Sequence, residues 1–134
     1  MQSDTTFPER LKALHGAAPE RVAVYLQFPG RDDVPLTYDK LLRGAAAYAR
    51  ALEQEGIRPG EVVILILQHG EDLVYSFWGA ILHGAIPSIM PFLTEKLSPE
   101  RYRADLSALI SVAKPAAIIT YADFEVEIRA ALQA

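Results

Sequence analysis

Apolar residues along this chain keep two spacings in turn, and each change of spacing marks an element. Residues 62–67 (VVILIL) are an unbroken β-branched and leucine run between Pro59-Gly60 and Gly70. That run is too short for a helix and predicts a buried strand. Glu71 and Asp72, suited to the positive end of a helix, open a stretch over 73–82 that is apolar almost all round. It reads as a helix packed deep in a protein. Gly84 stops it, and residues 85–90 give a second short apolar strand. Strand, helix and strand in that order form a right-handed parallel crossover.

The flanking segments follow the same logic. Upstream, residues 7–15 form a short surface helix with Thr6 as N-cap and Pro8 in the first turn. Residues 21–28 alternate as a strand, 29–33 (PGRDD) turn, and 34–37 return as its partner in a hairpin. Thr37 caps the next helix, where Leu41, Ala45, Tyr48 and Leu52 share one face. Gly56 stands where a left-handed residue closes that helix, with Ile57 packing back on its last turn; positive φ is expected at Gly56 and Gly60. Downstream, Ser98-Pro99 starts a helix striped by Tyr102, Leu106, Leu109, Ile110 and Ala113. Lys114-Pro115 ends it, residues 117–120 form a buried strand, and Phe124, Ile128, Ala131 and Leu132 stripe a last helix. The fold class is α/β, a mainly parallel sheet with helices on both faces, preceded by a short helix and a β-hairpin.

The 134 residues make one domain, with residues 1–18 as a leader carrying the short helix and 19–134 as the hairpin plus β–α repeats. A net charge of −4 without a basic block argues against a nucleic-acid binder. Cysteine is absent, which removes disulfides and thiol chemistry and suits the cytosol. Residues 73–93 contain no Asp, Glu, Lys or Arg, but Gly79, Gly84, Pro87 and Pro91 interrupt them, so no membrane span is expected. The first residues lack the apolar core of a signal peptide, and a cytoplasmic location is expected.

An ordered series of motifs adds a family resemblance. It runs Leu36-Thr37-Tyr38-Asp39-Lys40-Leu41, Gly56-Ile57-Arg58-Pro59-Gly60-Glu61, the strand at 62–67, Gln68-His69-Gly70 and Gly84-Ala85-Ile86-Pro87. It ends with Lys114-Pro115-Ala116-Ala117-Ile118-Ile119-Thr120. The series resembles the N-terminal subdomain of the adenylate-forming superfamily: acyl-CoA synthetases, acyl-AMP ligases, luciferases and peptide-synthetase adenylation domains. It covers residues 19–120 in family order. The resemblance implies a parent that activates a carboxylate with ATP and Mg²⁺, releases pyrophosphate, and passes the acyl group to coenzyme A or an acyl carrier protein. The Pro91 loop and the segment after it lean toward fatty acyl-AMP ligases or long-chain synthetases. The family's Ser/Thr/Gly-rich phosphate loop, its Tyr-Gly-x-Thr-Glu segment, its ribose-binding Asp and its late catalytic Lys do not occur in these residues. The chain thus resembles a partial domain of a larger enzyme, inactive by itself, whose partner is the remainder of its parent. Self-association of the isolated piece is also expected, through apolar surface left uncovered.

Candidate chemistry is sparse. Residues 79–84 have the glycine spacing of a P-loop, but Ala85 and Ile86 stand where Lys and Ser/Thr are needed. Those glycines are read as letting the helix pack closely against the sheet. No Gly-x-Gly-x-x-Gly occurs either. His15, His69 and His83 lack ligand spacing, so no metal site is assigned. His69 follows the carboxyl end of a strand, where α/β folds bind ligands, and in the position of the family's turn asparagine. His83 is read as complementing its helix dipole. Lys96, Arg101 and Arg103 form a loose basic group, and in some coenzyme A ligases a basic residue near this loop meets a phosphate; Leu93 falls at that place here. His69 and Lys96 are therefore the cofactor-binding candidates, and no catalytic residue is assigned. Tyr75 and Trp78 are read as core. A self-contained flavodoxin-like binding or regulatory module is the alternative.

Overall fold

The computed structural model describes residues 5–94 and 96–133. The first four residues of the leader lie outside the described residues. Helix α1 (Phe7–Ala17) starts at a capping box in which Thr6 and Glu9 bond reciprocally, with Pro8 in the first turn. Strands β1 (Val22–Phe28) and β2 (Arg31–Thr37) form the antiparallel hairpin. Its turn is shorter than the five residues expected: only Pro29 and Gly30 connect the strands, with Gly30 at φ 73°. Arg31, Asp32 and Asp33 belong to β2 instead, where they are exposed on a strand paired along one side only. The guanidinium of Arg31 lies 3.8 Å from the centre of the Phe28 ring and helps close the register there.

Helix α2 (Tyr38–Gln54) begins at Thr37, whose hydroxyl accepts from the Lys40 N–H at 3.1 Å. Leu41, Ala45 and Leu52 are its buried face, as the spacing predicts. It closes in a Schellman pair, Gly56 N–H to Glu53 and Ile57 N–H to Leu52, with Gly56 at φ 77°. Gly60 follows at φ 86°.

Strand β3 (Val62–Ile66) then enters the core. Helix α3 (Glu71–His83) crosses to strand β4 (Ile86–Ile89), and helix α4 (Pro99–Ala113), capped by Ser98, crosses to strand β5 (Ala117–Thr120). A 3-10 turn (Ala122–Phe124) leads into helix α5 (Glu125–Leu132). The three strands are parallel in the order β4–β3–β5.

The central strand serves both faces of the sheet. Val63, Ile64, Leu65 and Ile66 are all fully buried, and their side chains alternate. Ile64 and Ile66 join Tyr102, Leu106, Phe124 and Ile128 on the side of α4 and α5. Val63 and Leu65 join Leu52, Ala80 and Ala85 on the side of α2 and α3. Strands buried on both faces need a continuous apolar run, which is why residues 62–67 show no polar alternation.

Two expectations need correction. Gly79 does not fit α3 against the sheet; a Cβ there would meet Tyr48 and Ala45 of α2, so the glycine serves a close helix–helix crossing. Leu132 is 56% exposed and leaves the core stripe of α5 to Ile128 and Ala131, with Phe124 buried one turn earlier.

Candidate functional site

Helix α3 leaves β3 on one side of the sheet and α4 returns to β5 on the other, so the chain reverses its winding between β3 and β5. Ligands in open α/β sheets bind outside the carboxyl ends of strands at such a point. Here that edge is stitched by side chains. The Thr120 hydroxyl donates to the Ile66 carbonyl at 2.8 Å, and the Gln68 N–H donates to the Tyr121 hydroxyl at 3.2 Å. Both close the β3–β5 gap just past the last ladder bonds.

Above this seam stands an aromatic group. Phe92 meets Tyr121 edge-on at 5.7 Å and Phe124 at 4.7 Å, and Phe124 meets Tyr102 at 5.9 Å. Tyr102 is held from the other end, its hydroxyl donating to the Pro91 carbonyl at 2.6 Å. Burial pushes this phenol up to about 12. Phe92 and Gln68 separate two clefts. One, of about 320 Å³, is closed by Tyr121, Asp123 and Phe124. The other, of about 590 Å³, runs along His69, Pro91, Leu93 and Thr94.

The expected site residues are dispersed by this geometry. His69 reaches the second cleft, but its Nε2 donates to the Gln27 carbonyl at 2.8 Å and its ring lies 4.9 Å from Phe28. It joins the hairpin to the parallel sheet. Lys96 is exposed in the turn before α4. Its basic neighbours are engaged: Arg101 lies 3.9 Å from Asp105, and Arg103 forks onto Glu127 at 2.9 and 3.2 Å, tying α4 to α5. The hydrogen bonds from Arg103 hold the Glu127 carboxyl below its usual range. His83 does more than sit at a helix end; its Nε2 donates to the Ile57 carbonyl and fixes α3 to the turn before β3. His15 bonds Asp39 at 3.0 Å, joining α1 to α2. Tyr75 and Trp78 are half-buried; Trp78 meets Phe77 and Phe7 edge-on.

The start of α3 offers a helix dipole, but Glu71 and Asp72 already fill its first turn, and carboxylates there repel a phosphate. Among the described residues no group of three or more His, Asp or Glu could hold a metal ion. The residues of this edge form an apolar wall with peptide groups at its base. Sequence reasoning did not single out Tyr121, whose signal was an aromatic placed directly after the Thr120 strand end. Among the described residues no helix is long and apolar enough to cross a membrane.

This α/β architecture belongs to a known family. The family model described as "AMP-binding enzyme" matches residues 13–134, and the chain belongs to that family. In sequence it is 34% identical over 102 residues to a dimodular nonribosomal peptide synthase of Bacillus subtilis (strain 168), matching 76% of this chain and 4% of that protein. Its fold is shared with a fatty acid AMP ligase from Legionella pneumophila at a TM-score of 0.76 and 21% identity, covering 88% of this chain and 20% of that one. A benzoate CoA ligase from Burkholderia xenovorans LB400 superposes at a TM-score of 0.73 and 24% identity, over 98% of this chain and 24% of that one. The chain thus spans a quarter or less of each relative's length. Membership displaces an unrelated flavodoxin-like module, although the β4–β3–β5 order matches the opening 2-1-3 strands of such sheets.

Proposed function

We propose that the chain is the N-terminal scaffold subdomain of an enzyme that activates a carboxylic acid with ATP. The parent forms an acyl-adenylate and pyrophosphate, then passes the acyl group to a thiol of coenzyme A or a carrier protein. The family match across residues 13–134 carries this reading. The part we assign to this chain is structural. It positions the aromatic wall of Phe92, Tyr121 and Phe124 along one edge of the parent's ligand crevice and supplies no reacting group. A carrier-protein thiol as acceptor is favoured by the likeness to the peptide synthase. Should coenzyme A be the acceptor, exposed Lys96 is the residue we assign to its phosphate, whereas His69 is committed to Gln27.

The test is pyrophosphate exchange on the 134-residue chain and on the full-length parent, with acetate, a medium-chain acid, a long-chain acid and an amino acid. Exchange is expected from the parent with one of these and none from the chain alone. Losing one positioned electrostatic donor costs ~100- to 1,000-fold, and here the phosphate loop and its lysine are absent together. Exchange by the chain alone would overturn the scaffold role; a silent parent would overturn the activity.

A further inference from the structure

At the opposite, amino-terminal edge of the parallel sheet lies an open groove of about 790 Å³. Its floor is a second stripe of α2, Leu42, Ala46 and Ala49, met by Leu82 of α3 and Ile57 of the turn. The neighbouring stripe of Leu41, Ala45 and Leu52 is buried, whereas these three α2 residues stay half-exposed. From Leu42 to Glu53 the stripe is ~17 Å long at 1.5 Å per residue, or about three helical turns. Lys12, Arg50 and Arg58 rim it from α1, α2 and the turn, against one carboxylate, Glu53. Arg58 shares Glu61 at 3.4 Å, while Lys12 and Arg50 have no ion-pair partner among the described residues. This cationic rim stands on a chain of net charge −4, so its local field is opposite to that of the whole.

We propose that this groove docks an acidic amphipathic helix of about three turns, supplied by another protein or domain. Apolar side chains on one stripe of that helix settle on Leu42, Leu82 and the two alanines, whose small size leaves room for them. Flanking carboxylates meet Lys12, Arg50 and Arg58, which steer the approach and fix the register. A second copy of this chain is a poorer fit. Its own acidic amphipathic helix, α5, has 8 residues and offers only about two turns.

The probe is a fluorescein-labelled helical peptide of about four turns, with leucines spaced i, i+4, i+7, i+11 and glutamates on both flanks. Fluorescence anisotropy with the 134-residue chain is expected to show saturable binding that weakens with added salt. The double variant Lys12→Glu/Arg50→Glu is expected to bind at least about tenfold more weakly, with an unchanged circular dichroism spectrum and thermal midpoint. Amide chemical-shift changes are expected along Leu42, Ala46 and Ile57. Four results would each overturn the proposal. The lysine-flanked or scrambled peptide binds as well, the double variant keeps full affinity, or the shifts cluster at Phe92 and Tyr121. The fourth is sedimentation showing that the groove is closed by a second copy which the double variant releases.

Discussion

The backbone of α3 at Gly79 rests on the carbonyl of Ala45 in α2. A Cβ added there would lie 2.7 Å from that oxygen and 2.5 Å from the Cβ of Tyr48. The arrangement is reciprocal, because a Cβ at Gly44 of α2 would enter the ring of Tyr75 on α3. Neither Ala45 nor the Tyr48 Cβ can swing aside, since both belong to helix backbone or its first side-chain atom. Gly79→Ala is expected to lower unfolding free energy by about 1–3 kcal/mol. Gly16→Ala in α1, where nothing lies within 4 Å, is the contrasting case. It is expected to gain about 0.5–1 kcal/mol from helix propensity. Urea denaturation of the two variants distinguishes crowding from propensity; equal effects would remove the close crossing.

Left-handed backbone gives a second pair of opposite signs. Gly56 has φ 77° and open space around an added Cβ, so the cost of Gly56→Val is conformational, about 1–2 kcal/mol or more. Lys114 ends α4 at φ 48°, the one non-glycine residue with positive φ among the described residues. Lys114→Gly is expected to raise stability by about 0.5–1 kcal/mol. Denaturation midpoints that stay put in both variants would refute the two turn assignments together.

Two phenols make the fold sensitive to alkali. Burial, reinforced by the Asp72 carboxylate that accepts from its hydroxyl at 3.0 Å, pushes Tyr48 up to about 12. Tyr102 is pushed up to about 12 by burial. A phenol whose folded pKa exceeds the unfolded value of 10.0 holds back its proton only in the folded chain. Stability from these groups is intact below pH 10 and is lost as pH rises toward about 12. The slope of unfolding free energy over that window is expected to flatten in Tyr48→Phe and again in Tyr102→Phe. An identical slope in the double variant would show that other groups set it.

Among the described residues strands β4 and β5 each pair on one side only, and Ile86 and Ile89 of β4 are 52% and 53% exposed. Open edges with apolar side chains recruit further strands. The isolated chain is expected to self-associate as its concentration rises into the high micromolar range. A clean monomer by sedimentation equilibrium at that concentration would count against it.

What the sequence reveals here depends on how far apart the interacting groups lie. Thr37, Ser98, Gly56 and the strand at Ala117–Thr120 were legible because caps, left-handed turns and β-branched runs act within a few residues. That strand, however, is half-buried at the sheet edge and not buried as expected. The hairpin turn is shorter than its composition suggests, because Arg31, Asp32 and Asp33 have the character of loop residues yet lie in β2. Only pairing along one side shows that a strand can present them to water. The partner of Gly79 is hidden from the sequence, since spacing along α3 does not reveal which element approaches it. At the carboxyl-terminal edge of the sheet, Thr120 and Tyr121 act on Ile66 and Gln68 across 54 and 53 positions of sequence. No local pattern encodes such a bond, and His69 bonding to Gln27 across 42 positions is the same case.

Because alternate residues of β3 serve different sides, the sheet acts as a bulkhead between two separately packed compartments. Damage in one has few contacts through which to spread into the other. Truncations within a compartment, such as Leu106→Ala with Ile128→Val, share neighbours and are expected to combine non-additively. Truncations on opposite sides, such as Leu106→Ala with Leu52→Ala, are expected to sum within about 0.5 kcal/mol. Evolution can then revise the α4–α5 compartment beneath the aromatic wall while the α2–α3 compartment beneath the basic groove stays as it is.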